Sequence, residues 1–234
     1  RRQKLSKKAN KIAILGDCHF PYHNKKAFKA AMALIKAEKP THVVQIGDLF
    51  DQYSFSRFNK KNLIQPMDEL TQAKELAVDM WVSIRKALPK AKLYQILGNH
   101  DVRMIKRVED KLPEAQDIFR RYLHELYTFT GVKTILDERE ELVIGDIVFL
   151  HGYRSGRGDH MRYNRQSTVC GHSHVGGVVF EQYRGKTIFE LNAGYLADEK
   201  SEPLKYRPQS SSKWTLGLGL IDENGPRFIP LGGI

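Results

Sequence analysis

Seven side chains with the donor chemistry of metal ligands stand in five short words of this sequence. "GDCH" (16–19) holds Asp17 and His19, "GDLFD" (47–51) holds Asp48, and "GNHD" (98–101) holds Asn99. "LHG" (150–152) adds His151, and "GHSH" (171–174) adds His172 and His174. A single Gly-Asp or Gly-His is commonly a turn, because these residues tolerate left-handed backbone or bond their own chain. A turn needs no imidazole, and five such words in order call for chemistry. Carboxylate oxygen, amide oxygen and imidazole nitrogen suit Mn²⁺, Fe, Ni²⁺ or Zn²⁺. The lack of thiolate argues against a structural zinc. Seven donors are too many for one tetrahedral ion. They suit two divalent ions sharing a bridging carboxylate, with water in the remaining positions. Two ions about 3.5–4 Å apart form a clamp for phosphoryl chemistry.

The elements around these words explain why they should meet. Residues 11–16, 41–47 and 92–98 are short apolar runs that read as buried strands. Residues 25–39 and 67–88 have helical spacing and stop before Pro40 and Pro89. The order β-α-β-α-β implies right-handed crossovers and a parallel sheet. Ligands of open parallel sheets bind outside the carboxyl ends of the strands, where the first three words fall. Residues 114–127 read as another helix. Beyond it, "ELVIG", "IVFLHG", "STVCGH", "GGVVFEQYRG", "KTIFELNAG", "WTLGLGLIDENG" and "RFIPLGG" read as short strands, with hairpin corners at "YRG" and "ENGP". The expected architecture is an α/β sandwich, two mixed β-sheets face to face with helices outside. It is one domain over residues 12–234 behind a basic arm at 1–11. Residues 197–213 form a long polar loop of the kind that is functional or disordered.

Bulk properties narrow the partners. A 234-residue chain with 41% hydrophobic residues can bury a sizeable core. It has no apolar run of about 18 residues, so no membrane span is expected. The charged N-terminus shows no signal peptide, although the chain starts at Arg1 rather than Met. Cys18 and Cys170 are far apart and outside any CxxC pattern, which fits a reducing compartment and plain packing roles. Net charge is +11, and the arm supplies over half of it through Arg1, Arg2, Lys4, Lys7, Lys8 and Lys11. Such an arm is either an electrostatic handle for nucleic acid or a solvated end.

Asp17-x-His19, Gly47-Asp48, Gly98-Asn99-His100-Asp101, His151 and Gly171-His172-x-His174 together resemble the calcineurin-like metallophosphoesterase signature. That resemblance spans most of the chain and implies the four-layer αββα form of the sandwich. It implies that Asp17, His19, Asp48 and His174 hold one metal. Asp48, Asn99, His151 and His172 hold the other, with Asp48 as the bridge and Mn²⁺ as the first expectation. His100 is not a ligand in this pattern; it faces the substrate as general acid. Asp101 is expected to fix the His100 imidazole, and Asp51 either to brace the second motif or to cap its strand. The words "GDLFDQY" and "GNHD" depart from the "GDxxDRG" and "GNHE" of protein serine/threonine phosphatases. They are similar to those of SbcD-type nucleases, whose capping domain this chain has no room for. "DCHFPYHNKKAF", "GDLFDQYSFSRFNKK", "LGNHDVRM" and "WTLGLGLIDENG" resemble compact phage and prophage metallophosphoesterases, which implies the host cytoplasm as location.

Substrate must be read from the remaining polar residues. "HGYRSGRGDHMRYNR" (151–165) places Arg154, Arg157, Arg162 and Arg165 after His151. Arginine forks suit phosphate oxygens. His23 and Arg57 follow the first two motifs and are candidates for phosphate contact. Tyr53, Phe55 and Phe58 either stack a base or pack under the loop. His42, His124 and His160 have no motif context. These features rank a DNA or RNA phosphodiesterase first and a small-molecule phosphoesterase second, ahead of a scaffold with a vestigial site. Oligomeric state is not legible.

Overall fold

The computed structural model describes residues 10–57, 64–154, 156–205 and 213–232. The arm, apart from its last two residues, and Phe58 lie outside them, as does part of the 197–213 loop.

Four parallel strands build most of the six-stranded first sheet. β1 (Ile12–Leu15), β2 (His42–Gln45) and β3 (Lys92–Ile96) are joined by α1 (Lys25–Glu38) and α2 (Pro66–Ala87). α3 (Arg103–Lys111) and α4 (Gln116–Leu126) then lead to β4 (Val132–Ile135). α1 begins where the Asn24 side chain accepts from the Ala27 N–H at 3.0 Å. α2 begins on Pro66, carries Asp68 and Glu69 in its first turn, and ends with Arg85 and Lys86, charges that match the helix dipole.

The second sheet is formed by β5 (Leu142–Ile144), β6 (Ile147–Phe149), β7 (Thr168–Cys170), β8 (Gly177–Tyr183) and β9 (Lys186–Asn192), in the order β5-β6-β7-β9-β8. A six-residue helix, α5 (Asp159–Asn164), lies against β7 and β9. The last hairpin, β10 (Gly217–Asp222) and β11 (Gly225–Pro230), returns to the first sheet with β10 antiparallel to β1. That sheet runs β11-β10-β1-β2-β3-β4. Both sheets are therefore mixed, and helices flank them as expected. The hairpin corners also hold. Tyr183 pairs with Lys186 across Arg184 and Gly185, whose φ values of 48° and 76° are those of a type I′ turn.

Strand periodicity assigns the two layers of core. Ala13 and Leu15 pack under the helices with Val43, Leu93 and Trp81. Ile12 and Ile14 point the other way and pack with Ile46, Phe149, Val169 and Leu191 between the sheets. Because both faces are covered, β1 and β2 are buried at every position. The outer face of the second sheet is thinner, and Val143 and Phe180 stand exposed there.

Two elements were not legible. α3 is short and mostly charged, with only Met104 and Ile105 buried. β4 is an edge strand with one fully buried residue, Ile135. The helix expected from 114 starts instead as a 3-10 turn at Pro113–Ala115.

Candidate metal centre

Each ligand word begins where a strand runs out of the sheet, and in all but the third word the chain there is bent into left-handed backbone. Asp17, His19, Asp48, His172 and His174 all have φ between 44° and 65°. Non-glycine residues held there cost on the order of 1–3 kcal/mol each, and persist only where the surroundings fix them. The fixing is visible: Asp17 N–H donates to the Gly47 carbonyl at 3.2 Å, and His19 N–H to the Asp48 carbonyl at 2.9 Å. The glycines of the words make the close approach possible. A Cβ on Gly98 would lie 2.2 Å from Asp48 Oδ1, and one on Gly47 2.3 Å from His151 Nδ1. These are spatial reasons for "GN" and "GD".

The strand ends bring all seven expected donors together. Asp17, His19, Asp48 and His174 form one cluster, and Asp48, His151 and His172 another. His19 Nε2 lies 3.3 Å from His174 Nε2 and 3.8 Å from Asp48 Oδ2. His174 Nε2 lies 3.3 Å from Asp17 Oδ1. On the other side His151 Nε2 is 3.3 Å from Asp48 Oδ2 and 3.1 Å from Asn99 Oδ1. Asn99 Oδ1 is also 2.9 Å from His172 Nδ1.

The outer hydrogen bonds test whether this geometry suits cations. The Ile46 carbonyl can only accept, so His151 Nδ1 must carry a proton to donate to it at 3.0 Å. His19 Nδ1 likewise donates to Asp51 Oδ2 at 2.7 Å. In their neutral forms both rings then present Nε2 lone pairs to other acceptors. Positive charge would satisfy those lone pairs, and a divalent ion on each side of Asp48 would supply it. Without a metal a proton takes the role. Burial disfavours charge on His151, but Asp48 beside it overrides this and pushes its pKa up to about 10. Burial also opposes ionisation of Asp48, yet His151, His100 and His19 hold its carboxyl well below the usual range.

Around the ligands the structure corrects one assignment. Asp101 does not touch the His100 ring. Its carboxylate accepts from Gly98 N–H (2.8 Å), Phe50 N–H (2.8 Å) and Tyr127 O–H (2.7 Å), so it ties the third motif to the second. Burial and the nearby Asp48 raise its pKa to about 6. The carboxylate near His100 is Asp51, whose Oδ2 lies 3.3 Å from Nδ1. Asp51 also binds Arg103 Nη1 at 3.1 Å, and Arg103 Nη2 donates to His100 Nε2 at 2.8 Å. His100 Nε2 itself lies 4.0 Å from Asp48 Oδ2.

The substrate candidates divide. Arg57 lines a cavity of about 500 Å³ that reaches Asn99, together with Arg103, Lys106 and Arg107 from α3 and one acid, Asp110. Those three α3 cations were missed by sequence reading, although "RMIKR" (103–107) follows the third motif after only Val102. A neighbouring cavity of about 570 Å³ shares Asn99 and Lys106 and is lined by His151, His172, Tyr153 and Tyr163. Arg154 and Arg157 line neither. They border a small cavity with Cys170, Ser173 and Glu190. His23 is also displaced from its expected role. It is buried between Phe20 and Phe28, with ring centroids at 4.9 and 5.2 Å. Tyr53 is buried and Phe55 packs against the core, so both take the packing alternative.

His160, read as incidental, is structural. Its Nε2 accepts from the Tyr153 and Arg154 N–H groups at 3.1 and 3.2 Å. It gathers with Cys170 and Glu190. Because Nε2 accepts, the neutral ring carries its proton on Nδ1, which faces Glu190 Oε2 at 3.6 Å and offers no lone pair to an ion. Glu190 also accepts from the N–H groups of Gly158, His160 and Met161 at the start of α5.

A sandwich whose strand ends set imidazoles and oxygens on both sides of one shared carboxylate is a metallophosphoesterase fold with a candidate dinuclear centre. A family model for the calcineurin-like phosphoesterases matches residues 10–176, and the chain belongs to that family. The family binds divalent metals. Two relatives are the Gene 54 proteins of Mycobacterium phages D29 and L5, 26% and 24% identical to this chain. Each match covers 96% of this chain and 95% of the relative. Among solved structures the chain is similar to Chaetomium thermophilum Vps29, with 14% identity and a TM-score of 0.47 over 93% of this chain and 83% of that one. It is also similar to Entamoeba histolytica Vps29 complexed with zinc, with 13% identity and a TM-score of 0.44 over 95% and 99%. No described helix is long and apolar enough to cross a membrane.

Proposed function

We propose that this protein is a two-metal phosphodiesterase that cleaves the backbone of nucleic acid, DNA before RNA. The observation that carries the reading is the cationic groove of Arg57, Arg103, Lys106 and Arg107, which meets the ligand cluster at Asn99. A polyanion gains from several cations in line with a cleavage site, because each neutralised phosphate releases counterions. A single small diester uses fewer of them.

Asp17, His19, Asp48 and His174 would hold one divalent ion, and Asp48, Asn99, His151 and His172 the other. When bound, the pair would supply Lewis acidity toward the phosphoryl oxygens and an activated water; a donor set of oxygen and imidazole suits Mn²⁺, taken first, as well as Fe, Ni²⁺ or Zn²⁺. The remaining steps belong to the chain. Arg103 donates to His100 Nε2, yet a phosphate oxygen is a stronger partner for a guanidinium than an imidazole is. Arriving substrate therefore draws Arg103 off the ring and frees Nε2, which takes up a proton from solvent and passes it to the leaving oxygen. Asp51, near Nδ1, keeps the ring oriented while it delivers the proton.

A specific observation favours a second reading. The cavity of about 570 Å³ beside His151 and His172 is of a size to hold one small phosphoester, such as a cyclic nucleotide or a phosphomonoester. The metal-depleted protein, reloaded with Mn²⁺, separates the two. The nuclease reading expects cleavage of single-stranded or duplex DNA that falls steeply with salt, while bis-p-nitrophenyl phosphate hydrolysis changes little. Cleavage of small esters with none of either nucleic acid gives the function to the second reading.

A further inference from the structure

Two of the three most exposed large hydrophobic side chains among the described residues stand beside the metal ligands. Tyr153 is 61% exposed and Tyr163 66% exposed, where aromatic rings ordinarily bury themselves. Both line the cavity that holds Asn99, His151 and His172. Tyr153 follows His151 by two residues, and Tyr163 is carried to the same wall by α5.

The rings are held in place. The Arg154 guanidinium carbon lies 5.0 Å from the Tyr153 ring centroid and 4.6 Å from that of Tyr163, so one cation braces both. The Tyr153 ring meets His160 edge-on at 5.3 Å, and His160 in turn accepts from the Tyr153 and Arg154 backbone. Braced rings that stay open to solvent offer faces at little entropic cost. The cavity's two acids, Glu138 and Glu141, are matched by Lys106 and Arg139, and Glu138 is paired with Lys106 at 2.7 Å, which leaves Glu141 able to accept from an exocyclic amine. The groove on α3 carries four cations against one acid, whereas this cavity is balanced and aromatic, and the two share Asn99 and Lys106.

We infer that Tyr153 and Tyr163, braced by Arg154, form a stacking platform for the nucleobase next to the scissile phosphate. The backbone of the strand leaves along the α3 groove. This assignment rests on the phosphodiesterase reading and adds which side of the phosphate is recognised and by what. Every base has a π-face, so the platform selects nucleosides over plain alkyl groups without strict sequence preference.

The test compares two diesters with the same leaving group: the p-nitrophenyl ester of thymidine 5′-phosphate and methyl p-nitrophenyl phosphate. The Mn²⁺-loaded parent should prefer the nucleoside ester in kcat/KM. The double variant Tyr153→Ala/Tyr163→Ala should lose that preference by about tenfold to hundredfold, chiefly through KM, the range expected for stacking. The double variant Tyr153→Phe/Tyr163→Phe should retain it, and unchanged metal content and circular dichroism would show that both variants fold. A parent without preference, or an alanine variant that keeps it, overturns the platform. A parent that prefers the nucleoside ester but cuts no DNA leaves the platform standing and removes the nuclease reading instead.

Discussion

The two halves of the metal centre share Asp48 but live in different surroundings. On one side Asp17, His19 and His174 are buried, and the His174 ring is stacked on Tyr195 at 5.2 Å and met edge-on by Trp214 at 4.4 Å. On the other side Asn99 and His172 are only half-buried and line the two cavities. One half is closed by protein on all sides and suits holding an ion. The other is open and suits presenting an ion to a ligand. Such asymmetry lets a symmetric donor set do unequal work, and it can be probed residue by residue.

The largest effect should come from the shared residue. Asp48→Asn should lose both ions, with a loss of activity beyond the roughly 10–100-fold typical of an outer partner. His174→Ala and Asn99→Ala should each mainly weaken one side. Metal analysis of purified variants checks this, and two full equivalents in Asp48→Asn would remove the bridge.

Next in size is His100→Ala, which should keep both ions and lower turnover about 10²–10⁴-fold, the range for general acid–base catalysis. The loss should shrink for p-nitrophenyl leaving groups, which need no proton. Equal losses on p-nitrophenyl and alkyl esters would assign the ring to phosphate positioning.

Asp51→Asn addresses the closed half through the His19 ring. It should weaken one of the two metal equivalents about 10–100-fold, the cost of an outer carboxylate on a ligating imidazole. Parallel weakening of both ions would show that the halves are not separable.

Ion binding to the open half should depend on pH. In the metal-free protein the His151 pKa is raised to about 10, so at neutral pH an entering ion must displace that proton. Apparent affinity should therefore rise about tenfold per pH unit for each proton released, and fall as the medium is acidified. Calorimetry in buffers of different ionisation enthalpy counts the protons, and a value of zero would contradict this.

The smallest effect concerns the groove beyond the open half. Arg107→Ala should weaken DNA binding a few-fold and about evenly across sequences. It should reduce the salt slope by about one, as for the loss of a single phosphate contact. An unchanged slope would place the strand elsewhere.

What was legible in the sequence followed from local pattern. Each of the first three motifs follows an apolar run, and a parallel sheet collects such ends at one rim, so Asp17, Asp48 and Asn99 could be matched before their contacts were known. The glycine preceding each of them was also readable, although its reason was not. Only the fold shows that a Cβ on Gly98 would collide with Asp48. Neighbours in sequence misled twice. Asp101 is adjacent to His100, but its carboxylate turns back to the loop at Leu49 and Phe50, and Asp51 serves the ring instead. Arg154 follows His151 closely, but Gly152 turns the chain at a φ of 106°, and His160 holds the backbone of residues 153 and 154. The guanidinium therefore lies on tyrosine rings.

The sequence by itself determined the candidate donor set, the alternation of the first three strands with α1 and α2, and the end of the sheet at which the donors meet. These rest on hydrophobic period and on backbone that only certain residues adopt, both of which are local. The tertiary structure alone decided which carboxylate braces which imidazole, which cations line the approach to Asn99, and which aromatic rings stand in the open. Those outcomes depend on the direction of side chains brought together from distant segments. That direction is set by how the two sheets and α3 pack, which no short window of sequence contains.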